Sequence, residues 1–120
     1  MDYQTEGTIV TCIDFRFQKA INKWITEHIR PKIFDRVSLA GATKNLSTIL
    51  DQIDISVRLH HIKKVILINH EDCGAYGEEG TLQKHTQDLR EAKAKIKEKY
   101  PDLEIETYYL HLDGTFELVN

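Results

Sequence analysis

The apolar residues of this chain follow two patterns, short clusters and longer stretches with helical spacing. Residues 8–11, 35–40 and 65–69 form short clusters typical of strands, and the third has the continuous apolar character of a parallel strand covered on both faces. Between these clusters, apolar positions recur every three or four residues, which predicts two helices. The first helix carries Ile21, Trp24, Ile25, His28 and Ile29, with Trp24 as a core residue, and the second carries Leu46, Ile49, Leu50, Ile53 and Val57.

Local signals set the ends of these two predicted helices. Pro31 is expected to end the first helix, and Asn45 or Ser47 is expected to begin the second. The second pattern fades at His60 and His61, whose side chains would point about 100° apart on a helix. We interpret this histidine pair as a solvated helix end and not as a metal site.

The second half of the chain predicts one more helix followed by a β-hairpin. Residues 81–100 are highly charged, with a narrow apolar stripe made of Leu82, Leu89, Ala92, Ile96 and Tyr100. Residues 103–112 then alternate like a strand, and Asp113-Gly114 forms the turn into residues 116–119. The predicted fold is a single small α/β domain over residues 1–120, with a mainly parallel central sheet flanked by helices and a C-terminal β-hairpin.

Composition and charge narrow the possible functions. The 120 residues carry 16 Lys and Arg against 19 Asp and Glu, a formal net charge of −3, and the charges are mixed along the chain. Nucleic-acid binding requires a basic stripe that this sequence lacks. The polar start at residues 1–7 lacks the features of a secretory signal, and no run approaches the roughly 20 apolar residues of a membrane span. We therefore expect a cytoplasmic protein that binds neither nucleic acid nor a membrane.

The two cysteines of the chain lie directly after two predicted strands. Cys12 follows the first strand, whereas Cys73 follows the third, with His70 three residues ahead of it. Ligands bind outside the carboxyl ends of parallel strands, so these side chains converge if the two strands are neighbours. Two thiolates and one imidazole suit tetrahedral zinc, and three protein ligands leave a fourth position open, as in catalytic zinc sites.

A carboxylate and a guanidinium follow the first cysteine at alternate positions. On an extended segment Asp14 and Arg16 share one side, where an ion pair would orient the carboxylate. Asp14 then has two possible roles, because it can accept a hydrogen bond from a zinc-bound water or close the metal site as a fourth ligand. Beyond Cys73, Gly74 belongs to a glycine-containing loop that permits close approach to a ligand.

Two motifs at these positions resemble the signatures of the β-class carbonic anhydrases. They are Cys-x-Asp-x-Arg at residues 12–16 and His-x-x-Cys-Gly at residues 70–74, and Ala40-Gly41 stands where that family has an Ala-Gly turn. The resemblance implies zinc as the cofactor, reversible hydration of carbon dioxide to bicarbonate by zinc-bound hydroxide, and a homodimer or higher homo-oligomer. The implied zinc ligands are Cys12, His70 and Cys73, and the implied catalytic pair is Asp14 and Arg16.

The chain departs from the family pattern around the expected substrate pocket, to which we assign Phe15, Leu39, Gly41 and Gly74. Phe15 replaces a small polar residue, Ser38 and Leu39 replace an Arg-Asn pair, and Ala42 replaces a polar residue. The chain is also shorter than typical members and has no long N-terminal helical arm.

Three alternative functions stay open at the level of sequence. The apolar Phe15 and Leu39 suit a different small heterocumulene, so the chain could be a related zinc hydrolase of carbon disulfide or carbonyl sulfide. A non-catalytic zinc-binding regulatory or interaction module would use Asp14 to close the metal site. A thiol enzyme would use Cys73 as its nucleophile beside His70, and it would leave Cys12 without a role.

Overall fold

The computed structural model describes residues 4–30 and 33–120, which form one five-stranded sheet with helices on both faces. The strands are β1 (Gly7–Thr11), β2 (Phe34–Ser38), β3 (Lys64–His70), β4 (Glu104–Leu110) and β5 (Phe116–Val119). The helices are α1 (Gln18–His28), α2 (Leu46–His60) and α3 (Leu82–Lys99). The order across the sheet is β2-β1-β3-β4-β5, and only β5 runs antiparallel to its neighbour. The predicted α/β fold, with a mainly parallel sheet and a C-terminal hairpin, is confirmed.

The central strand β3 is covered on both faces, as its continuous apolar character predicts. Because successive strand residues point to opposite faces, Val65 and Leu67 join the apolar cluster formed with α2 and α3. Ile66 and Ile68 join the cluster formed with α1. Trp24 of α1 is buried in that second cluster, which agrees with its predicted place in the core.

The ends of the first two helices differ in detail from the predicted ones. α1 ends at His28, and Pro31, which was expected to stop it, lies outside the described residues. Asn45 precedes α2, but its side chain does not cap the helix and instead donates to the Ala40 carbonyl at 2.7 Å. His60 is the last residue of α2, and it is more than a solvated end because its Nδ1 lies 2.7 Å from Asp35 Oδ2.

The inner face of α3 contains a histidine that the predicted apolar stripe omits. Its buried residues are His85, Leu89, Ala92 and Ile96. The prediction for Leu82 was wrong, because this side chain in the first turn is 45% exposed. His85 is 0% exposed and packs against the Tyr76 ring, with the ring centroids 4.0 Å apart.

The strand order brings the two cysteine-bearing segments together. β1 pairs in parallel with both β2 and β3, so the chain passes from β1 to β2 on one side and then returns across β1 to β3 on the other. A crevice forms outside the carboxyl ends of the strands at such a point. Cys12 follows β1, and His70 is the last residue of β3, so the neighbouring strands meet the condition set by the sequence.

Within residues 4–30 and 33–120, each helix is too short or too polar to cross a lipid bilayer.

Candidate metal centre

Three buried donor groups meet at the carboxyl ends of β1 and β3. The ligand atoms of Cys12, His70 and Cys73 all lie within 4.8 Å of one another, and the two sulfurs are 3.9 Å apart. Two sulfurs bound at about 2.3 Å to one tetrahedral zinc would lie about 3.8 Å apart. The spacing of these donors therefore fits a single tetrahedral zinc ion.

The imidazole of His70 is held so that one nitrogen faces the two sulfurs. Its Nδ1 lies 2.7 Å from the Glu71 carbonyl oxygen, which can only accept, so Nδ1 carries the proton in the neutral ring. The ring also packs on Phe17, with the centroids 4.2 Å apart. Nε2 is buried and has no hydrogen-bond partner. A buried acceptor without a partner is costly, and metal ligation would satisfy it.

The surroundings of the two thiols differ in their electrostatic effect. Burial raises the pKa of Cys12, but His70 and the backbone N–H groups of Gly41 and Asp14 outweigh it and bring this pKa to about 7. The Gly41 N–H donates to Cys12 Sγ at 3.4 Å. Burial raises the pKa of Cys73, and the adjacent Cys12 thiolate raises it further. Cys12 is therefore the first of the two thiols to ionise.

Asp14 and Arg16 form the predicted ion pair beside these donors. Arg16 Nη2 donates to Asp14 Oδ2 at 2.7 Å, and its Nε lies 3.2 Å from both carboxylate oxygens. The Arg16 guanidinium lowers the pKa of Asp14 to about 2. Asp14 Oδ2 also lies 3.8 Å from His70 Nε2, so the ionised carboxylate faces the donor cluster.

Arg16 also links the two segments that carry the metal donors. Its Nη1 donates to Asp72 Oδ2 at 3.0 Å, and its Nη2 donates to the Asp72 carbonyl oxygen at 2.7 Å. Asp72 has a positive φ of 57°, a conformation that Asp tolerates better than most residues. One guanidinium therefore contacts both the loop after β1 and the turn after β3.

A cleft of about 380 Å³ opens beside the donor cluster. Of the predicted pocket residues, Phe15 and Gly74 line this cleft, and Phe15 is 85% exposed. Gly41 lies behind Cys12 and donates its N–H to the sulfur. Leu39 packs against the apolar cluster formed with α2 and α3. The remaining lining residues are Cys12, Ile13, Asp14, Arg16, Ala40, Cys73 and Ala75.

A buried polar network behind the donors was not predicted from the sequence. Asn69 hydrogen-bonds Thr43, Tyr76 and His85, and Tyr76 donates to Asp88. The one sequence signal that could have revealed this network is a carboxamide at the end of an otherwise apolar central strand.

Known proteins resemble this chain in both sequence and fold. An uncharacterized protein of Rickettsia bellii is 34% identical over 130 residues, which cover 92% of this chain and 79% of that protein. An uncharacterized protein of Rickettsia conorii is 35% identical over 130 residues, which cover 92% of this chain and 70% of that protein.

The fold resembles that of solved carbonic anhydrases. That from Glaciozyma antarctica has a TM-score of 0.73 at 18% identity, over 100% of this chain and 85% of that chain. The carbonic anhydrase from Streptococcus mutans has a TM-score of 0.65 at 18% identity, over 99% and 84% of the two chains. A third match is to a chain from work on two tetrameric β-carbonic anhydrases of Sordaria macrospora. Its TM-score is 0.63 at 11% identity, over 98% of this chain and 82% of that chain.

A family model matches nearly the whole sequence. It covers residues 2–120 and carries the description "Putative carbonic anhydrase". The parallel sheet, the strand order and the three converging donors are consistent with this match. The chain belongs to the family described as "Putative carbonic anhydrase".

Proposed function

We propose that this protein is a zinc-dependent carbonic anhydrase, which catalyses the reversible hydration of carbon dioxide to bicarbonate. The observation that carries the proposal is the buried, unpartnered Nε2 of His70 beside two sulfurs 3.9 Å apart. Cys12, His70 and Cys73 would hold the zinc. Zinc with three protein ligands supplies a Lewis acid that brings the pKa of water in its open position to about 7.

Asp14 would act as a hydrogen-bond acceptor in front of the three ligands. With a pKa of about 2 it is ionised at neutral pH, so it accepts and never donates. In this place Oδ2 would accept the hydrogen of a water or hydroxide in front of the three donors, and it would orient that molecule toward the cleft.

Arg16 would keep Asp14 available for this role and off the metal. It donates to both Asp14 oxygens, so the carboxylate already has hydrogen-bond donors and an opposite charge without the metal. Its second pair of contacts, to Asp72, fixes the guanidinium in place. This arrangement supports water in preference to Asp14 as the fourth ligand.

The walls of the cleft suit a small apolar substrate. Phe15, Ile13, Ala40 and Ala75 present apolar surface next to Cys12, and carbon dioxide has no net dipole. The same surface also suits carbon disulfide or carbonyl sulfide, which makes hydrolysis of these compounds the second candidate function. A substrate panel with the three compounds distinguishes the two activities.

We propose that residues 1–120 act as one domain and that the protein is a cytoplasmic homodimer or higher homo-oligomer. Phe15 and Ile13 at the mouth of the cleft are 85% and 58% exposed, which supports a covering partner. Two free cysteines support a reducing compartment.

Zinc-loaded protein is expected to accelerate carbon dioxide hydration, measured by stopped-flow with a pH indicator. Metal content determined by mass spectrometry on the same sample establishes that the protein is loaded. Protein with one zinc per chain and no activity above the buffer rate, over pH 7 to about 9, where hydroxide is available, would overturn the proposed activity.

Zinc affinity is expected to fall as the pH falls, because protons compete for the same donors. Without metal, Cys73 has a raised pKa and stays protonated through the neutral range, so binding displaces its proton. Below the pKa of Cys12, about 7, binding displaces a second proton. Where the imidazole is protonated, His70 gives up a third, because burial lowers its pKa but its contacts with Cys12 and Glu71 outweigh burial and raise it. The affinity should therefore drop about tenfold per pH unit while only Cys73 is protonated, and toward about a thousandfold per unit once Cys12 and His70 are protonated as well. Chelator competition at several pH values measures this slope, and a flat profile would contradict thiolate ligation.

A further inference from the structure

A buried hydrogen-bond network centres on Asn69, which directly precedes His70 in β3 and is 1% exposed. Its Oδ1 accepts from Thr43 N at 3.2 Å and from Thr43 Oγ1 at 2.9 Å. Its Nδ2 lies 3.1 Å from the Tyr76 hydroxyl and 2.9 Å from His85 Nδ1. Both lone pairs and both hydrogens of the carboxamide are thus in use.

The chemistry of the partners fixes the orientation of this carboxamide. The backbone N–H of Thr43 can only donate, so the atom that faces it is the oxygen, and the NH₂ group faces Tyr76 and His85. Tyr76 accepts from Asn69 and donates its own proton to Asp88 Oδ2 at 2.7 Å. Burial lowers the pKa of His85 to about 4, so its ring is neutral and Nδ1 can accept. A flipped amide would place its NH₂ group against the Thr43 N–H, donor against donor.

Two of the three partners of Asn69 lie in segments that carry a donor of the metal centre or a group that contacts one. Tyr76 belongs to the turn that begins at Cys73, and its N–H donates to the Cys73 carbonyl at 3.1 Å. Thr43 lies two residues beyond Gly41, whose N–H donates to Cys12 Sγ. His70 is the next residue of the chain. One side chain therefore joins the His70 segment, the Cys73 turn and the Gly41 segment behind Cys12 to α3, which it contacts through His85.

We propose that Asn69 is a positioning residue of the metal centre, which holds the Cys12, His70 and Cys73 segments in register before metal binds. Holding the donors in place lowers the conformational cost of binding. This inference rests on the proposed metal-binding function, since it assigns the part of the chain that organises that site.

The test compares zinc affinity and cobalt spectra of apoprotein variants. Asn69→Ala removes the centre of the network, and zinc affinity, measured by competition with a chromophoric chelator, is expected to fall about 10- to 100-fold. Tyr76→Phe keeps the ring and removes one hydroxyl, and its affinity is expected to fall about fivefold. In both variants the d–d bands of bound cobalt(II) should shift, because the donor geometry changes.

Thr8→Val serves as the matched control. Thr8 is buried like Asn69 and Tyr76, and its Oγ1 donates to Ser56 Oγ at 2.7 Å, but it lies in the first half of β1, away from the donors. This variant loses a buried hydrogen bond of the same kind and should keep the wild-type zinc affinity and cobalt spectrum. Circular dichroism of each apoprotein verifies that it is folded.

The possible results separate this inference from the proposed function. Wild-type protein that binds neither zinc nor cobalt would overturn both. Wild-type binding with unchanged affinity and spectrum in Tyr76→Phe, and in Asn69→Ala where that variant folds, would overturn the role of Asn69 and leave metal binding intact. If Asn69→Ala does not fold, Tyr76→Phe alone decides the outcome. A loss of affinity in Thr8→Val equal to that in Tyr76→Phe would also overturn the inference, because it would show a general effect of destabilisation.

Discussion

A Cys73→Ser variant is expected to lose tight zinc binding and, with it, carbon dioxide hydration. Serine has nearly the same shape, so the buried position can accept it, but its hydroxyl does not ionise near neutral pH and is a poor ligand compared with a thiolate. Removing a ligand should lower the affinity by more than the roughly 100-fold that changes in outer residues cause. Mass spectrometry after dialysis against a chelator measures the retained zinc, and stopped-flow measures the hydration rate.

Two further variants make this result specific to the donor set. Cys12→Ser should behave in the same way, because Cys12 Sγ lies 3.9 Å from Cys73 Sγ and shares the site. Thr8→Val should retain zinc and activity. A Cys73→Ser protein that keeps one zinc per chain as tightly as the wild type would remove Cys73 from the proposed ligands.

The same variants test the thiol-enzyme alternative, which the electrostatics of the site already oppose. A nucleophilic cysteine has a lowered pKa, whereas burial and the neighbouring Cys12 raise the pKa of Cys73. The thiol with the lowered pKa is Cys12, and the Gly41 N–H that points at its sulfur suits a thiolate ligand as well as a nucleophile. A thiol enzyme would stay active after metal removal, and a zinc enzyme would not.

The elements of this fold were largely predictable because their burial is simple. β3 is apolar at every position from Val65 to Ile68 because both of its faces are covered, and a short continuous apolar run is typical of such a strand. The adjacency of β1 and β3 was not predictable, since strand order depends on contacts that no local pattern records. The two motifs predicted that β1 and β3 are neighbours only on the assumption that Cys12, His70 and Cys73 bind one metal ion.

The parts of the site that were missed have polar side chains in apolar positions. His85 occupies an inner position of α3 because Asn69 of β3 hydrogen-bonds its ring, and neither residue indicates this contact when taken alone.

Leu39 is apolar and lies beside the Ala40-Gly41 turn, and this position suggested that it lines the substrate pocket. Its side chain packs on the core instead, since the direction of one side chain at the end of a strand depends on the turn that follows.

An Asp14→Asn variant is expected to bind zinc nearly as tightly as the wild type and to hydrate carbon dioxide much more slowly. Asparagine has the shape of aspartate but lacks the charge and one of the two acceptor oxygens that contact Arg16. Loss of a positioned acceptor lowers rates by about 100-fold or more. Stopped-flow values of kcat and KM, with zinc affinity from chelator competition, separate the two effects. Because the pKa of Asp14 is about 2, the deficit should stay constant across the neutral range.

Asp72→Asn is the matched control, and the pair of variants decides between an enzyme and a closed metal site. Asp72 is the other carboxylate that Arg16 contacts, but its side chain is 69% exposed, and asparagine tolerates its positive φ as well as aspartate does. The contact from Arg16 Nη2 to the backbone carbonyl at this position persists in the variant. This control should therefore change neither zinc affinity nor activity by more than a few-fold, since exposed ion pairs contribute about 0 to 1 kcal/mol. If Asp14→Asn instead releases zinc while Asp72→Asn keeps it, Asp14 is the fourth ligand. A site closed in that way would have no position for water, which is the arrangement expected of a regulatory module and not of a carbonic anhydrase.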